Sequence, residues 1–203
     1  AVLSLGVFTN IGTTAYAASG TKSDVYIMQL PRSGDTNNNG KWGHGELKFM
    51  NGWYSHAIST DSLRAMGSYS GNIAYCIEPG TGQHTGDTLT EKNEDYFNNL
   101  GSNGTISGDD IRLNIGRILQ YGYCGSISTS WKSQNSDDAD KLSHAIATQL
   151  LIWETIVGER DESFNHKSPG SYDAILDHIQ KGHPLYSRIM AYYNSMSESV
   201  QKH

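Results

Sequence analysis

Apolar residues recur with a helical period through the second half of the chain. Around Gln149, the positions three, four and seven residues away on both sides are apolar, which marks one face of an α-helix. Ser136-Asp-Asp can begin this helix and Gly158 can end it. The same period predicts further helices over residues 91–100, 109–121, 172–181 and 185–197.

The first half of the chain has β-like character instead. Strands are predicted over residues 24–31, 47–54 and 67–77, whereas residues 59–66 fit either type and residues 80–90 have the composition of a loop. Strands followed by helices indicate an α+β fold. We therefore predict an antiparallel β-sheet or sandwich region with an inserted or packed α-helical subdomain.

The Gln149 side chain places a polar amide at the centre of the apolar helical stripe. A buried amide without partners costs about 1–3 kcal/mol, so Gln149 needs a partner. A hydrogen bond would satisfy the amide. A cysteine thiol that displaces ammonia from the amide would instead form a thioester and remove the buried amide altogether.

Cys76 lies near the end of a predicted short strand, Ile73 to Ile77, with a Gly-Asn pair before it and a Pro-Gly pair soon after it. Strand alternation puts Cys76 on the same face as Ala74, and Tyr75 on the opposite face. A thiol on a strand can thus meet the amide of Gln149 on a helix.

Three segments, in this order along the chain, carry a resemblance to a known family. Tyr75-Cys76, the Tyr-Gly-Tyr turn that ends Ile115–Tyr123, and Thr148-Gln149-x-x-Ile152-Trp153 resemble the thioester domain of Gram-positive bacterial surface adhesins. The resemblance spans most of the chain after residue 24 and implies a Cys76–Gln149 thioester. It also implies host–pathogen adhesion and a downstream stalk with a cell-wall anchor. Cys124 departs from that family, in which proline is common after Tyr-Gly-Tyr.

A thioester is a stored electrophile that a primary amine can open, because a thiolate leaves more readily than an amine. The expected partner is a lysine on a host surface or matrix protein, with fibrinogen as an example that the resemblance suggests. The domain would act once and be consumed. We therefore predict a covalent binder that is not an enzyme and has no cofactor.

Water must be kept away from such a bond. The candidates for its wall are aromatic residues near either partner, with core packing as their alternative role: Trp153, Tyr121, Tyr123 and Tyr75. Glu78 shares the strand parity of Cys76 and is a candidate proton acceptor. His144 and Glu154 each lie five residues from Gln149, about 140° around the helix, and we predict that both are surface groups.

Composition narrows the function classes. The chain has 203 residues and a net charge of −6 without a basic cluster, so we predict no binding to nucleic acid and no direct binding to a membrane. Residues Asp35 to Glu46 match the spacing of a calcium-binding loop. The flanking sequence does not predict the helices of that motif, so we predict no metal.

Residues 1–18 have the character of a truncated secretory signal, with an apolar segment before small residues in an Ala-x-Ala pattern. Residues 19–203 are then expected to form one thioester adhesion domain, exported to the cell surface. Since no sorting signal follows, we expect a monomeric domain at the N-terminal end of a longer surface protein, with cell-wall anchoring through downstream regions.

Two other function classes stay open. Two cysteines in an exported chain are compatible with a Cys76–Cys124 disulfide, which would leave a secreted, non-covalent protein- or sugar-binding module. A secreted cysteine hydrolase or transamidase would use Cys76 with a distant histidine, although no local nucleophile signature supports it. Only the thioester predicts the stoichiometric addition of one amine at Gln149.

Overall fold

The computed structural model of the chain describes a set of segments in which strands precede helices. The described residues are 2–3, 22–28, 58–65, 68–70, 73–77, 88–90, 94–101, 106–125, 137–167, 174–179, 181 and 185–203. The strand predicted over 47–54, the calcium-like loop Asp35–Glu46 and the candidate proton acceptor Glu78 lie outside the described residues.

The described strands are short and pair antiparallel. They are β1 (Val2–Leu3), β2 (Lys22–Met28), β3 (Ile58–Ala65), β4 (Ser68–Ser70), β5 (Ile73–Cys76) and β6 (Thr88–Thr90). Their backbones pair in the order β1-β5-β3-β2-β6, with β4 beside β3, so that the strand carrying Cys76 lies between β1 and β3. The arrangement of these strands as a sandwich stays a prediction, as does the domain boundary after residue 18.

The structure differs in detail from two of the predictions for the first half of the chain. The ambiguous stretch over 59–66 is largely the strand β3. The loop predicted over 80–90 contains β6, which is only three residues long and too short to show a period of two.

The α-helices are α1 (Glu94–Gly101), α2 (Gly108–Tyr121), α3 (Asp137–Val157) and α4 (Tyr186–Gln201). The helix predicted over 109–121 is confirmed by α2, and the Gln149 helix by α3. The helix predicted over 172–181 is wrong in kind, because the described structure there is a 3-10 helix over Ile175–His178. The main-chain N–H of Ile175 donates to the Glu159 carboxylate at 3.0 Å, so a side chain from outside satisfies the start of this turn.

α2 begins and ends at residues with suitable chemistry. The Ser107 hydroxyl accepts a hydrogen bond from the Asp110 N–H at 3.1 Å, and two acidic residues occupy the first turn. At the other end, the Gly122 N–H donates to the Ile118 carbonyl at 2.7 Å. These contacts end α2 at the Tyr-Gly-Tyr turn.

α3 is the centre of the described core. Every side chain from 145 to 155 is buried, because α2, α4, β5 and the 3-10 helix all pack against α3. Over these residues α3 does not have the exposed face that an amphipathic stripe suggests. No described helix is long and apolar enough to cross a membrane.

Candidate functional site

Cys76 and Gln149 meet where β5 contacts α3. The Cys76 N–H donates to Gln149 Oε1 at 2.8 Å, and Gln149 Nε2 donates to the Cys76 carbonyl at 2.8 Å. Both hydrogen bonds join the amide to the main chain of a single residue, in the reciprocal manner of a hydrogen-bonded pair between antiparallel strands. The amide carbon of Gln149 is therefore held beside the residue that carries the thiol.

The Gln149 amide has hydrogen-bond partners although it is buried. Gln149 is 1% exposed, and its amide is satisfied by the main chain of Cys76. The hydrogen-bonded alternative for the buried amide is therefore the arrangement that the structure shows, and its partner is the residue that was predicted to supply the thiol. Cys76 itself is only partly buried.

The second cysteine, Cys124, has a hydrogen-bond partner of its own. Cys76 and Cys124 are not joined by a disulfide. The Cys124 thiol donates to the Leu119 carbonyl, with 3.1 Å between Sγ and the oxygen, and so satisfies an orphan carbonyl in the last turn of α2. Burial raises the pKa of the Cys124 thiol, which keeps it protonated and weakly nucleophilic.

We expect Cys124 to react slowly with iodoacetamide in the Cys76→Ala protein at pH 8. The raised pKa lowers the thiolate fraction, so the rate should be lower than that of the same protein unfolded in urea. The rate should then rise about tenfold per pH unit until the pH passes the pKa. Timed alkylation followed by mass spectrometry measures both rates, and equal rates in the folded and unfolded protein would contradict the assignment.

The aromatic residues that were predicted to shield the thioester from water lie in different environments. Trp153 is 4% exposed and its indole N–H has no hydrogen-bond partner among the described residues. The Tyr121 hydroxyl contacts His203 Nδ1 at 3.2 Å, and the Tyr123 ring lies 5.9 Å from the His144 ring, centroid to centroid. Their role in shielding a thioester stays a prediction.

Tyr75 is more closely tied to the site than strand alternation suggested. Its ring is 3% exposed, and its hydroxyl donates to the main-chain carbonyl of Tyr123. Burial raises the pKa of the Tyr75 phenol, and the nearby Thr148 side chain opposes that rise. Tyr75 therefore connects the strand of Cys76 to the turn after α2.

Thr148 is the site residue that sequence analysis left without a role. Its Oγ1 accepts from the Tyr123 N–H at 3.1 Å and donates to the His144 carbonyl at 2.9 Å. A Cβ on Gly122 would lie 2.6 Å from Thr148 Cγ2, so this approach requires glycine. The glycine between two tyrosines, directly after a helix, was the available signal.

His144 and Glu154 were both predicted as surface groups, and the structure corrects both. The His144 ring is partly buried and stacks on the Tyr192 ring with centroids 4.3 Å apart, while Nε2 lies 3.0 Å from the Tyr121 carbonyl. Burial lowers the pKa of His144. Glu154 is 0% exposed because the chain after α3 folds back over it.

Arg160 supplies the counter-charge for Glu154. The Arg160 guanidinium approaches Glu154 Oε2 at 2.8 Å through both Nε and Nη2, and it also contacts the Phe164 carbonyl at 3.0 Å. The Tyr193 hydroxyl donates to the same carboxylate at 2.7 Å. Burial raises the pKa of Glu154, and the nearby Arg160 charge opposes that rise.

Glu154, Glu159 and His166 have potential ligand atoms within 4.8 Å of one another. Arg160 already occupies one oxygen of Glu154, and the Ile175 N–H contacts the Glu159 carboxylate. His166 Nε2 lies 3.9 Å from an oxygen of each carboxylate. The two buried carboxylates and the exposed His166 therefore belong to a charge network at the end of α3, which the Tyr193 hydroxyl joins to α4.

Comparison with known proteins identifies one family. The family model described as the thioester domain matches residues 73–202. No curated protein and no solved structure matches the chain. The matched segment contains Cys76, Gln149 and the four aromatic residues predicted around them.

Proposed function

Because the chain belongs to the thioester-domain family, we propose that it is a surface adhesin domain whose Cys76 and Gln149 form an internal thioester. The observation that carries the proposal is the pair of 2.8 Å hydrogen bonds between the Gln149 amide and the main chain of Cys76. This contact brings the amide carbon to the residue that carries the thiol.

Thioester formation exchanges one bond for another. Cys76 Sγ attacks the Gln149 amide carbon, the C–Nε2 bond breaks, and the thiol proton leaves with the nitrogen as ammonia. During attack, negative charge develops on Gln149 Oε1, which already accepts the Cys76 N–H at 2.8 Å. A main-chain N–H aimed at the oxygen that gains charge is the usual form of oxyanion stabilisation.

Capture of a partner follows the same path with an amine as the nucleophile. The amine nitrogen of a lysine attacks the former amide carbon, the C–S bond breaks, and Cys76 leaves as a thiolate. The nitrogen then loses one proton, which returns the thiolate to a thiol, and an amide bond joins the two proteins. A thiolate is a better leaving group than an amine, since the pKa of a thiol is about 8.5 and that of a lysine ammonium about 10.4. The reaction consumes the site, so the domain turns over once.

Specificity should come from docking. Only about one lysine in 2,500 is unprotonated at pH 7, so random encounters react slowly. A bound partner whose lysine is held at the Cys76 side gains several kcal/mol from positioning alone. We propose a host surface or matrix protein, such as fibrinogen, as this partner. An exported domain that downstream regions anchor to the cell wall would fit this role.

The intact mass of the non-reduced protein tests the proposal. We expect the wild-type mass to fall short of the sequence mass by one ammonia, and we expect the Cys76→Ala protein to show no deficit. A deficit of two hydrogens would instead indicate a Cys76–Cys124 disulfide and a non-covalent binding module. Catalytic turnover of an amine donor would indicate a transamidase.

A further inference from the structure

Two residues that flank the proposed cross-link contact the same third residue. Tyr75 precedes Cys76, and its hydroxyl donates to the Tyr123 carbonyl. Thr148 precedes Gln149, and its Oγ1 accepts from the Tyr123 N–H at 3.1 Å. Both main-chain polar groups of Tyr123 are therefore bound by the immediate neighbours of the two reacting residues.

Each hydroxyl carries one hydrogen, and this determines which groups donate and which accept in these hydrogen bonds. The Thr148 hydroxyl donates its single hydrogen to the His144 carbonyl at 2.9 Å, so its oxygen is available to accept from Tyr123. Thr148 is 0% exposed and Tyr75 is 3% exposed, so water does not compete strongly for either bond. The phenol of Tyr75 has only the hydroxyl hydrogen to donate, and it gives this hydrogen to Tyr123.

The turn is held closely against α3. A Cβ at Gly122 would lie 2.6 Å from Thr148 Cγ2 and 2.8 Å from the Ile118 carbonyl oxygen. His144 adds a contact to the Tyr121 carbonyl at 3.0 Å, one helical turn before Thr148. Because Gly122 has an ordinary negative φ of −82°, close approach rather than backbone conformation explains the glycine.

We infer that the Tyr123 main chain is a positioning brace that sets the register between Tyr75-Cys76 and Thr148-Gln149. The inference rests on the proposed thioester. β5 and α3 are far apart in sequence, and the Gln149 amide can face the Cys76 thiol only if the two elements keep one relative position. The brace connects them through a third element, at the residues adjacent to the reacting pair.

Four variants test the brace. Thr148→Val removes the hydroxyl while keeping the branched shape, and Thr148→Ser keeps the hydroxyl. Tyr75→Phe removes the other bond to Tyr123. Thr155→Val is the matched control, because Thr155 is a buried threonine on α3 whose hydroxyl donates to the Leu151 carbonyl at 2.8 Å, within the helix.

The first readout is the rate of thioester closure. Ammonia opens the thioester to the Gln149 amide and the Cys76 thiol, and removal of ammonia allows closure, which intact mass follows. A displacement of about 1 Å can cost roughly 10²-fold in rate, so we expect this loss in Thr148→Val and Tyr75→Phe. We expect Thr148→Ser and Thr155→Val to stay within about threefold of wild type, since both leave the brace in place. In the double variant Thr148→Val/Tyr75→Phe, the closure rate should fall by less than the product of the two single-variant decreases, because both substitutions act on one turn.

The second readout needs no thioester. In the Cys76→Ala background, the main-chain N–H at position 76 still donates to Gln149, and its hydrogen exchange reports how firmly β5 sits on α3. We expect Thr148→Val to speed this exchange about tenfold, as the loss of one hydrogen bond would, and Thr155→Val to leave it unchanged. An equal effect in both variants, or none in Thr148→Val, would overturn the brace. A wild-type protein without the ammonia deficit would overturn the thioester instead, so the two failures are distinguishable.

Discussion

Replacing Cys76 by alanine is expected to reduce covalent incorporation of a primary amine to background, whereas Cys124→Ala is expected to leave it within about twofold. Cys76 supplies the sulfur of the proposed thioester, while the Cys124 thiol donates to the Leu119 carbonyl and has a pKa raised by burial. Incubation with a biotinylated amine, followed by intact mass and peptide mapping, measures the incorporation at Gln149.

Cys76→Ala should remove the thiol without removing the hydrogen bonds of the Gln149 amide. Both bonds of the Gln149 amide go to main-chain atoms of residue 76, so the substitution keeps them. Its free energy of unfolding should lie within about 1 kcal/mol of that of the amine-opened wild-type protein, in which no cross-link remains. Gln149→Ala also abolishes incorporation but should cost a further 3 kcal/mol or so, since it leaves a cavity and two unpaired main-chain groups.

The exposed Gln120 on α2 provides the matched control for Gln149. Gln120→Ala should change neither incorporation nor stability, because its side chain is in solvent. Amine incorporation that survives in Cys76→Ala, or that maps to Gln120, would contradict the assignment of the thioester.

Replacing Arg160 by alanine is expected to destabilise the fold by about 3–5 kcal/mol. The side chains of Arg160 and Glu154 are 3% and 0% exposed, and removal of one partner leaves the other charge buried and uncompensated. Urea unfolding in the Cys76→Ala background measures the loss without interference from a cross-link. Arg112→Ala is the control, since the Arg112–Asp109 pair is exposed and should contribute about 0.5 kcal/mol or less.

The loss in Arg160→Ala should depend on pH with a definite sign. Burial already raises the pKa of Glu154, and Arg160 opposes that rise, so without Arg160 the pKa should rise further. A group whose pKa is higher in the folded state than in the unfolded state favours folding at low pH and loses that contribution as pH increases through the folded pKa. The destabilisation should therefore be smaller near pH 4 than near pH 8. An equal loss at both pH values would show that Glu154 remains compensated by another group.

Much of the helical region follows from local pattern. The bounds of α2 and α3 agree with the sequence because acidic first turns, a terminal glycine and a period of 3.6 are encoded within each segment. The pairing of Cys76 with Gln149 was also anticipated, since a polar amide in an apolar stripe demands a partner. The burial of Glu154 was missed because its counter-charge comes from Arg160, beyond the end of the helix.

The sequence by itself determined where the chain forms its main helices and that Gln149 would be buried. Those features depend on residue spacing along one element, which backbone geometry translates directly into a face. Only the tertiary structure decided that the main chain of Cys76 satisfies the amide and that Tyr123 binds both Tyr75 and Thr148. These contacts join atoms that sequence spacing does not relate, and packing of β5, α2 and α3 against one another brings them within hydrogen-bonding distance.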